Sequence, residues 1–368
     1  MKMLEEIIRG EIASQGVMPF ARFMELALYS PGTGYYERKK NPGRQGDFYT
    51  SVSVGELFGQ LLAFQFSEWL EELRSASLKI QIVEAGAHDG RLARDILSWI
   101  QQHRPETFAR LEYCLVEPSP TRREWQRETL KDFIPNARWI SQLDASTQQS
   151  FEGIIFSNEL LDAFPVHRLG WDAKAGNWFE WGVGLDGGNL VHARMEHAVP
   201  SALRPQAPPE LLAVLPDHFT IEISPAAGQW WRDAAGGLRR GKLVVVDYGL
   251  AEDELFLPSR KNGTLRAYSR HHHAADVLAN AGEQDLTAHV NFSALQTIGE
   301  SCGLATESFA TQSQFLTRIL EKTTKSQAPF GEWTPARARQ FQTLTHPEHL
   351  GRAFRVLVQS RSDHCKIN

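Results

Sequence analysis

Between residues 80 and 247, short apolar runs alternate with stretches whose apolar residues recur at helical spacing, and no other feature constrains the fold as strongly. Ile80-Gln81-Ile82-Val83 precedes a helical pattern at 91–100, with Leu92, Ala93, Ile96, Leu97 and Ile100 on one face. Leu111-Glu112-Tyr113-Cys114-Leu115-Val116 precedes another at 122–130. Gly153-Ile154-Ile155-Phe156 leads into Asn158-Glu159-Leu160-Leu161-Asp162, Ile221-Glu222-Ile223 introduces a helix near 226–235, and Leu243-Val244-Val245-Val246-Asp247 supplies a fifth strand. Short apolar strands separated by helices are the pattern of a parallel sheet covered on both faces. The expected fold is therefore α/β, a doubly wound Rossmann-like sheet.

Other segments surround this core. Apolar spacing predicts helices at 4–13 and 19–28, a loop dense in glycine and aromatics from Tyr29 onward, and a buried helix at 55–73, so that 1–78 forms an N-terminal helical and loop segment. The core is expected over 79–310 with insertions at about 166–215 and 252–292, and 311–368 is expected as a C-terminal extension. In the first insertion, runs such as Trp178-Phe179-Glu180-Trp181 lie between the turns Ala175-Gly176-Asn177 and Asp186-Gly187-Gly188-Asn189, which predicts an antiparallel meander.

Composition removes several function classes. No apolar run approaches the roughly 20 residues of a membrane span. A formal net charge of -5, from 39 basic and 44 acidic side chains, does not suit a dedicated nucleic-acid binder. Cys114, Cys302 and Cys365 are too few and too scattered for a disulfide framework or a zinc site, and the N-terminus reads as a helix rather than a leader, so a cytoplasmic protein is expected. His271-His272-His273 with Asp285 and His289 matches no zinc spacing, and no metal is expected.

In doubly wound sheets, ligands gather beyond the carboxyl ends of the strands, where the strand order reverses. The first strand ends in Glu84-Ala85-Gly86-Ala87-His88-Asp89-Gly90, an acid followed by a glycine turn that suits a nucleoside cofactor or a plain tight turn. The second ends in Val116-Glu117-Pro118, where Glu117 either accepts hydrogen bonds from ribose hydroxyls or caps the next helix. Asn158, Glu159 and Asp162 crowd three polar groups between apolar segments, which is costly unless they are paired or used.

The series Gly34-Tyr35-Tyr36, Gly46-Asp47-Phe48-Tyr49-Thr50-Ser51, Phe58-Gly59, Glu84-Ala85-Gly86, Glu117-Pro118-Ser119-Pro120, Asn158-Glu159-Leu160-Leu161-Asp162-Ala163-Phe164-Pro165-Val166, Asp247-Tyr248-Gly249, Gly263-Thr264-Leu265 and Asp285-Leu286-Thr287-Ala288-His289-Val290-Asn291-Phe292 resembles the MidA family in order and content up to about Phe309. That family comprises S-adenosylmethionine-dependent methyltransferases of the class I fold, whose mitochondrial members methylate an arginine on a core subunit of respiratory complex I. The resemblance implies S-adenosyl-L-methionine as cofactor, with Glu84, Gly86 and Gly90 in its first motif and Glu117 as the ribose-binding acid. It implies that Gly46, Asp47, Thr50 and Ser51 close over the cofactor's amino-acid end, and that Asn158, Glu159 and Asp162 form the active-site signature, Asn158 also touching the cofactor. Tyr35 and Tyr36 would then wall the acceptor channel or merely pack the N-terminal helices, and His289 would contact substrate, order a lid or sit in the core.

The implied reaction is methylation of a protein arginine, with a complex I subunit as the implied partner; a small-molecule acceptor, or a non-catalytic assembly protein that keeps the fold, are the alternatives. A guanidinium is cationic at any accessible pH, so its site needs carboxylates that hold it and remove a proton, roles suited to Glu159 and Asp162. One departure stands out: the family usually carries Gly-Pro-Gly where this chain has Gly86-Ala87-His88, and a left-handed backbone at His88 would cost about 1 kcal/mol or more.

Overall fold

A computed structural model describes residues 2–38, 50–73, 79–269, 272–325 and 330–362. The chain divides into two compact units, one of Met1–Phe48, Asp162–Gly228 and Leu250–Ser293, the other of Tyr49–Leu161, Gln229–Gly249 and Ala294–Asn368.

The second unit holds the central sheet. Its strands are β1 Ile80–Ala85, β2 Leu111–Val116, β3 Ala137–Ile140, β4 Phe151–Asn158, β5 Leu238–Leu250, β6 Ala305–Thr311 and β7 Phe354–Arg361. They lie in the order β3-β2-β1-β4-β5-β7-β6. β1 to β5 are mutually parallel, whereas β7 runs antiparallel to both β5 and β6. The chain builds outward from β1 to β3 and then returns to place β4 on the other side of β1, so the order reverses between β1 and β4.

Burial explains the pattern. Every residue of β4 is buried, as a strand covered on both faces requires. The helix Leu57–Glu72 packs Phe58, Phe64 and Phe66 into the core, with Phe66 edge-on to Phe156 at 5.0 Å. Each such phenylalanine contributes about 2–3 kcal/mol of burial.

The other unit is antiparallel. The helices Lys2–Gln15 and Phe20–Tyr29 bury Leu4, Ile8, Phe20, Phe23 and Met24 in a core with Val183 and Leu286. His167–Asp172, Asn177–Asp186 and Asn189–Arg194 pair in sequence as the expected meander, and a small sheet joins Arg266–Ser269, His272–His273 and Asp285–Thr287.

One expectation is corrected. The run at 221–223 is not a core strand: Thr220–Ile223 pairs antiparallel with His167–Asp172, because its central Glu222 needs the partners it finds there, Thr264 N and Oγ1 and the Arg168 guanidinium. Beyond 310, β7 carries buried Phe354, Val356, Leu357 and Val358 into the sheet. Residues 1–78 divide between the units, with the first two helices in one and Leu57–Glu72 in the other.

Candidate functional site

The turn after β1 starts from a buried acid. Glu84 is 2% exposed and accepts a hydrogen bond from the Tyr113 hydroxyl at 2.6 Å; burial pushes its carboxyl up to about 8, against the opposing effect of that bond. Gly86 has φ 78°, and a Cβ there would stand 3.0 Å from Leu160 Cδ1. Gly90, at φ 84°, sits at the N-cap of the helix Arg91–His103. His88 does adopt the left-handed region, at φ 46°, with its imidazole tilted against Trp125 at 6.2 Å and partly exposed.

At the end of β2, Glu117 is 1% exposed and accepts from Ser119 N at 2.9 Å, Gln126 Nε2 at 3.1 Å and the Arg122 guanidinium at 3.1 Å. It is not the helix cap: Ser119 is the N-cap of Pro120–Thr129, its hydroxyl accepting from Arg122 N.

The end of β4 carries the most constrained geometry. Glu159 has φ 52°, and its N–H donates to Val246 O at 2.9 Å. Its Oε1 accepts from Ser51 N and from Asn158 Nδ2, each at 3.0 Å. The buried Asp247 on β5 accepts from Leu160 N at 3.1 Å and Leu161 N at 2.8 Å, clamping the turn that follows. Asn158 Oδ1 and Ser157 Oγ are buried without a hydrogen-bond partner among the described residues. Ser51 is itself fully buried, its hydroxyl donating to Gln312 Oε1 at 3.0 Å. Thr50 forms a reciprocal turn with Ser53. Gly46 and Asp47, with Phe48 and Tyr49, lie outside the described residues, as does His271.

The remaining candidates belong to the antiparallel unit. Tyr36 donates its hydroxyl to Asp285 Oδ1 at 2.7 Å, stacks on Tyr29 at 5.6 Å and meets Tyr35 edge-on at 5.1 Å. Burial, then the Asp285 and Tyr29 charges, hold the Tyr36 hydroxyl well above its usual range. Tyr35 is a buried member of the apolar core. Asp162 is 6% exposed, and its carbonyl accepts from Ala288 N at 2.9 Å. Half-buried His289 donates its backbone N–H to Thr264 Oγ1; burial, then Arg260 and Arg266, lower its imidazole to about 4, so it is neutral near pH 7. Among the described residues, no cluster of three His, Cys, Asp or Glu side chains is arranged to hold a metal.

Ser51, Asn158 and Glu159 are thus brought into direct contact, with Glu84, Gly86, Gly90 and Glu117 at the tips of the adjoining strands, whereas Tyr35, Tyr36, Asp162 and His289 fall in the other unit. Asp247, Gln126 and Gln312 were not identified from sequence. Asp247 left a signal, an acid closing an apolar strand; the two glutamines left none.

The strand ends fit a cationic nucleoside: the Glu117 carboxyl closes β2, and a buried amide oxygen at the end of β4 lacks a donor among the described residues. With parallel β1 to β5, antiparallel β7 and this reversal point, fold and strand-end chemistry define a class I methyltransferase. Residues 61–310 match the family model described as "Putative S-adenosyl-L-methionine-dependent methyltransferase". The chain is 31% identical to a Burkholderia thailandensis protein described as a likely methyl transferase and solved with bound S-adenosyl-homocysteine; the TM-score is 0.81, over 98% of this chain and 92% of that one. It is 29% identical over 327 residues to the Drosophila melanogaster mitochondrial protein arginine methyltransferase NDUFAF7 homolog, covering 82% of this chain and 70% of the relative. The human mitochondrial protein arginine methyltransferase NDUFAF7 is also 29% identical, over 79% of this chain and 67% of its own length. The chain belongs to the MidA family of S-adenosylmethionine-dependent methyltransferases. It is an enzyme that uses S-adenosyl-L-methionine.

Proposed function

We propose that the chain methylates an arginine of a protein substrate, a respiratory complex I subunit being the target suggested by the family. The observation that carries the reading is Glu159, a carboxylate held at the end of β4, on a left-handed backbone, by Ser51 N–H and the Asn158 amide. Strain of this kind persists only where surrounding structure enforces it.

When bound, S-adenosylmethionine supplies a methyl group on a sulfonium, already activated as a leaving group. Glu117 is assigned to the ribose hydroxyls, the Glu84–Gly90 turn to the nucleoside, and Thr50 and Ser51, with Gly46 and Asp47, to the amino-acid end. The Asn158 oxygen offers an acceptor there. Alignment of acceptor and methyl supplies most of the acceleration. Glu159 pairs with the cationic guanidinium and takes up the proton released as nitrogen is alkylated. Asp162, whose charge acts on the Tyr36 hydroxyl, is a second carboxyl whose chemistry suits a guanidinium.

The test is Glu159→Gln. It should lower transfer of labelled methyl to protein by roughly 100-fold or more, while S-adenosylhomocysteine affinity measured by calorimetry stays within a few fold. A variant that transfers at the wild-type rate removes Glu159 from the mechanism.

A further inference from the structure

We infer that Gln126 is a positioning residue for the cofactor, locking together the two strand-end loops that hold it. Gln126 is fully buried on the helix Pro120–Thr129, and all three polar positions of its amide used here are satisfied. Nε2 donates to Glu117 Oε2 at 3.1 Å and to the His88 carbonyl at 3.0 Å, while Oε1 accepts from Trp139 Nε1 at 2.9 Å.

The orientation of the amide follows from the third bond. An indole N–H can only donate, so Trp139 fixes the oxygen end of the amide and leaves both N–H groups facing the other two partners. One of these orients the Glu117 carboxylate, and the other ties down the carbonyl of the left-handed His88. The bond therefore supports the very backbone position at which this chain departs from glycine. Gly90 holds a left-handed φ of 84° in the same turn, next to Gln126. The titratable and charged groups around the amide are Glu117, Arg122 and Arg123 on the β2 side, His88 and Asp89 on the turn, and Arg127 over the Trp139 ring.

The inference rests on the reading of Glu117 as the ribose acid, and the experiment separates the two. S-adenosylhomocysteine affinity is measured by calorimetry from pH 6 to 9 for wild type, Gln126→Glu, Gln126→Leu and Glu117→Gln, each with a thermal melt. The carboxyl introduced by Gln126→Glu shares its site with Glu117, so one proton of the pair is held toward neutral pH; protonated it keeps one donor in place of two, and ionised it has none. The affinity of Gln126→Glu relative to wild type should be modestly reduced at pH 6 and fall about a further ten-fold by pH 9, the scale of a lost hydrogen bond to a charged group. Gln126→Leu should be weakened at every pH, and adding Trp139→Phe to it should cost no further affinity. If Gln126→Leu fails to fold, the Gln126→Glu series alone decides. A Gln126→Glu ratio that does not change with pH overturns the inference. If Glu117→Gln also binds as wild type, the ribose assignment falls with it; if Glu117→Gln is weakened, only the role of Gln126 falls.

Discussion

His88 and Glu159 hold φ of 46° and 52° on the turns after β1 and β4, the two strands between which the order reverses. Gly86 holds 78° nearby, and Gly86→Ala, whose Cβ would press on Leu160, should cost roughly 1–2 kcal/mol in denaturant melts. Glu84 sets a pH dependence. Folded, its carboxyl keeps a proton up to about 8, whereas the unfolded chain releases it near 4.5. Its contribution to stability is therefore present below 4.5 and is lost as pH rises toward 8. Glu84→Gln should flatten this decline, shrinking the difference between melting temperatures at pH 5 and pH 9; an unchanged difference would mean the carboxyl is not protonated when folded. Glu84, Glu117 and Asn158 were legible in the sequence because polar groups closing apolar runs mark strand ends. Gln126 was not, since a glutamine in the polar stretch Arg122-Arg123-Glu124-Trp125-Gln126-Arg127 reads as solvated until Trp139 and His88 arrive from distant positions.

At the scale of elements, the turn after β4 depends on its neighbours. Asp247 of β5 accepts from two successive backbone N–H groups, and a buried donor left unmatched costs about 1–3 kcal/mol. Asp247→Ala should destabilise the fold by that amount and slow methyl transfer more than it weakens cofactor binding, as read by single-turnover rates beside calorimetry. The same logic reaches the last third of the chain: Gln312, at the start of the helix Gln312–Lys325, accepts from the Ser51 hydroxyl and donates to Leu344 O at 2.9 Å, so that segment supports the loop touching Glu159. The parallel strands β1, β2, β4 and β5 were legible as apolar runs. β7 was not, because a strand that completes a sheet from the far end of the chain carries no local mark of its partners. Thr220–Ile223 was misplaced for the opposite reason: its run looked like a core strand, while the acid within it required Arg168 and Thr264.

At the scale of the whole molecule, the chain interleaves two units rather than appending one to the other, and the insertions at 166–215 and 252–292 fall within the antiparallel unit. That unit carries an acid sensitivity. His289 is neutral when folded, down to about 4, but protonates near 6.5 when unfolded, so stability is lost as pH falls through that window. His289→Gln should lessen the loss of melting temperature between pH 7 and pH 5. The central claim, transfer to a protein arginine, is tested most directly by incubating the enzyme and methyl-labelled S-adenosylmethionine with a protein extract, hydrolysing the protein fraction and separating its amino acids. Label should appear in methylated arginine with wild type and be absent with Glu159→Gln; label confined to small metabolites, or to another amino acid, would contradict the account.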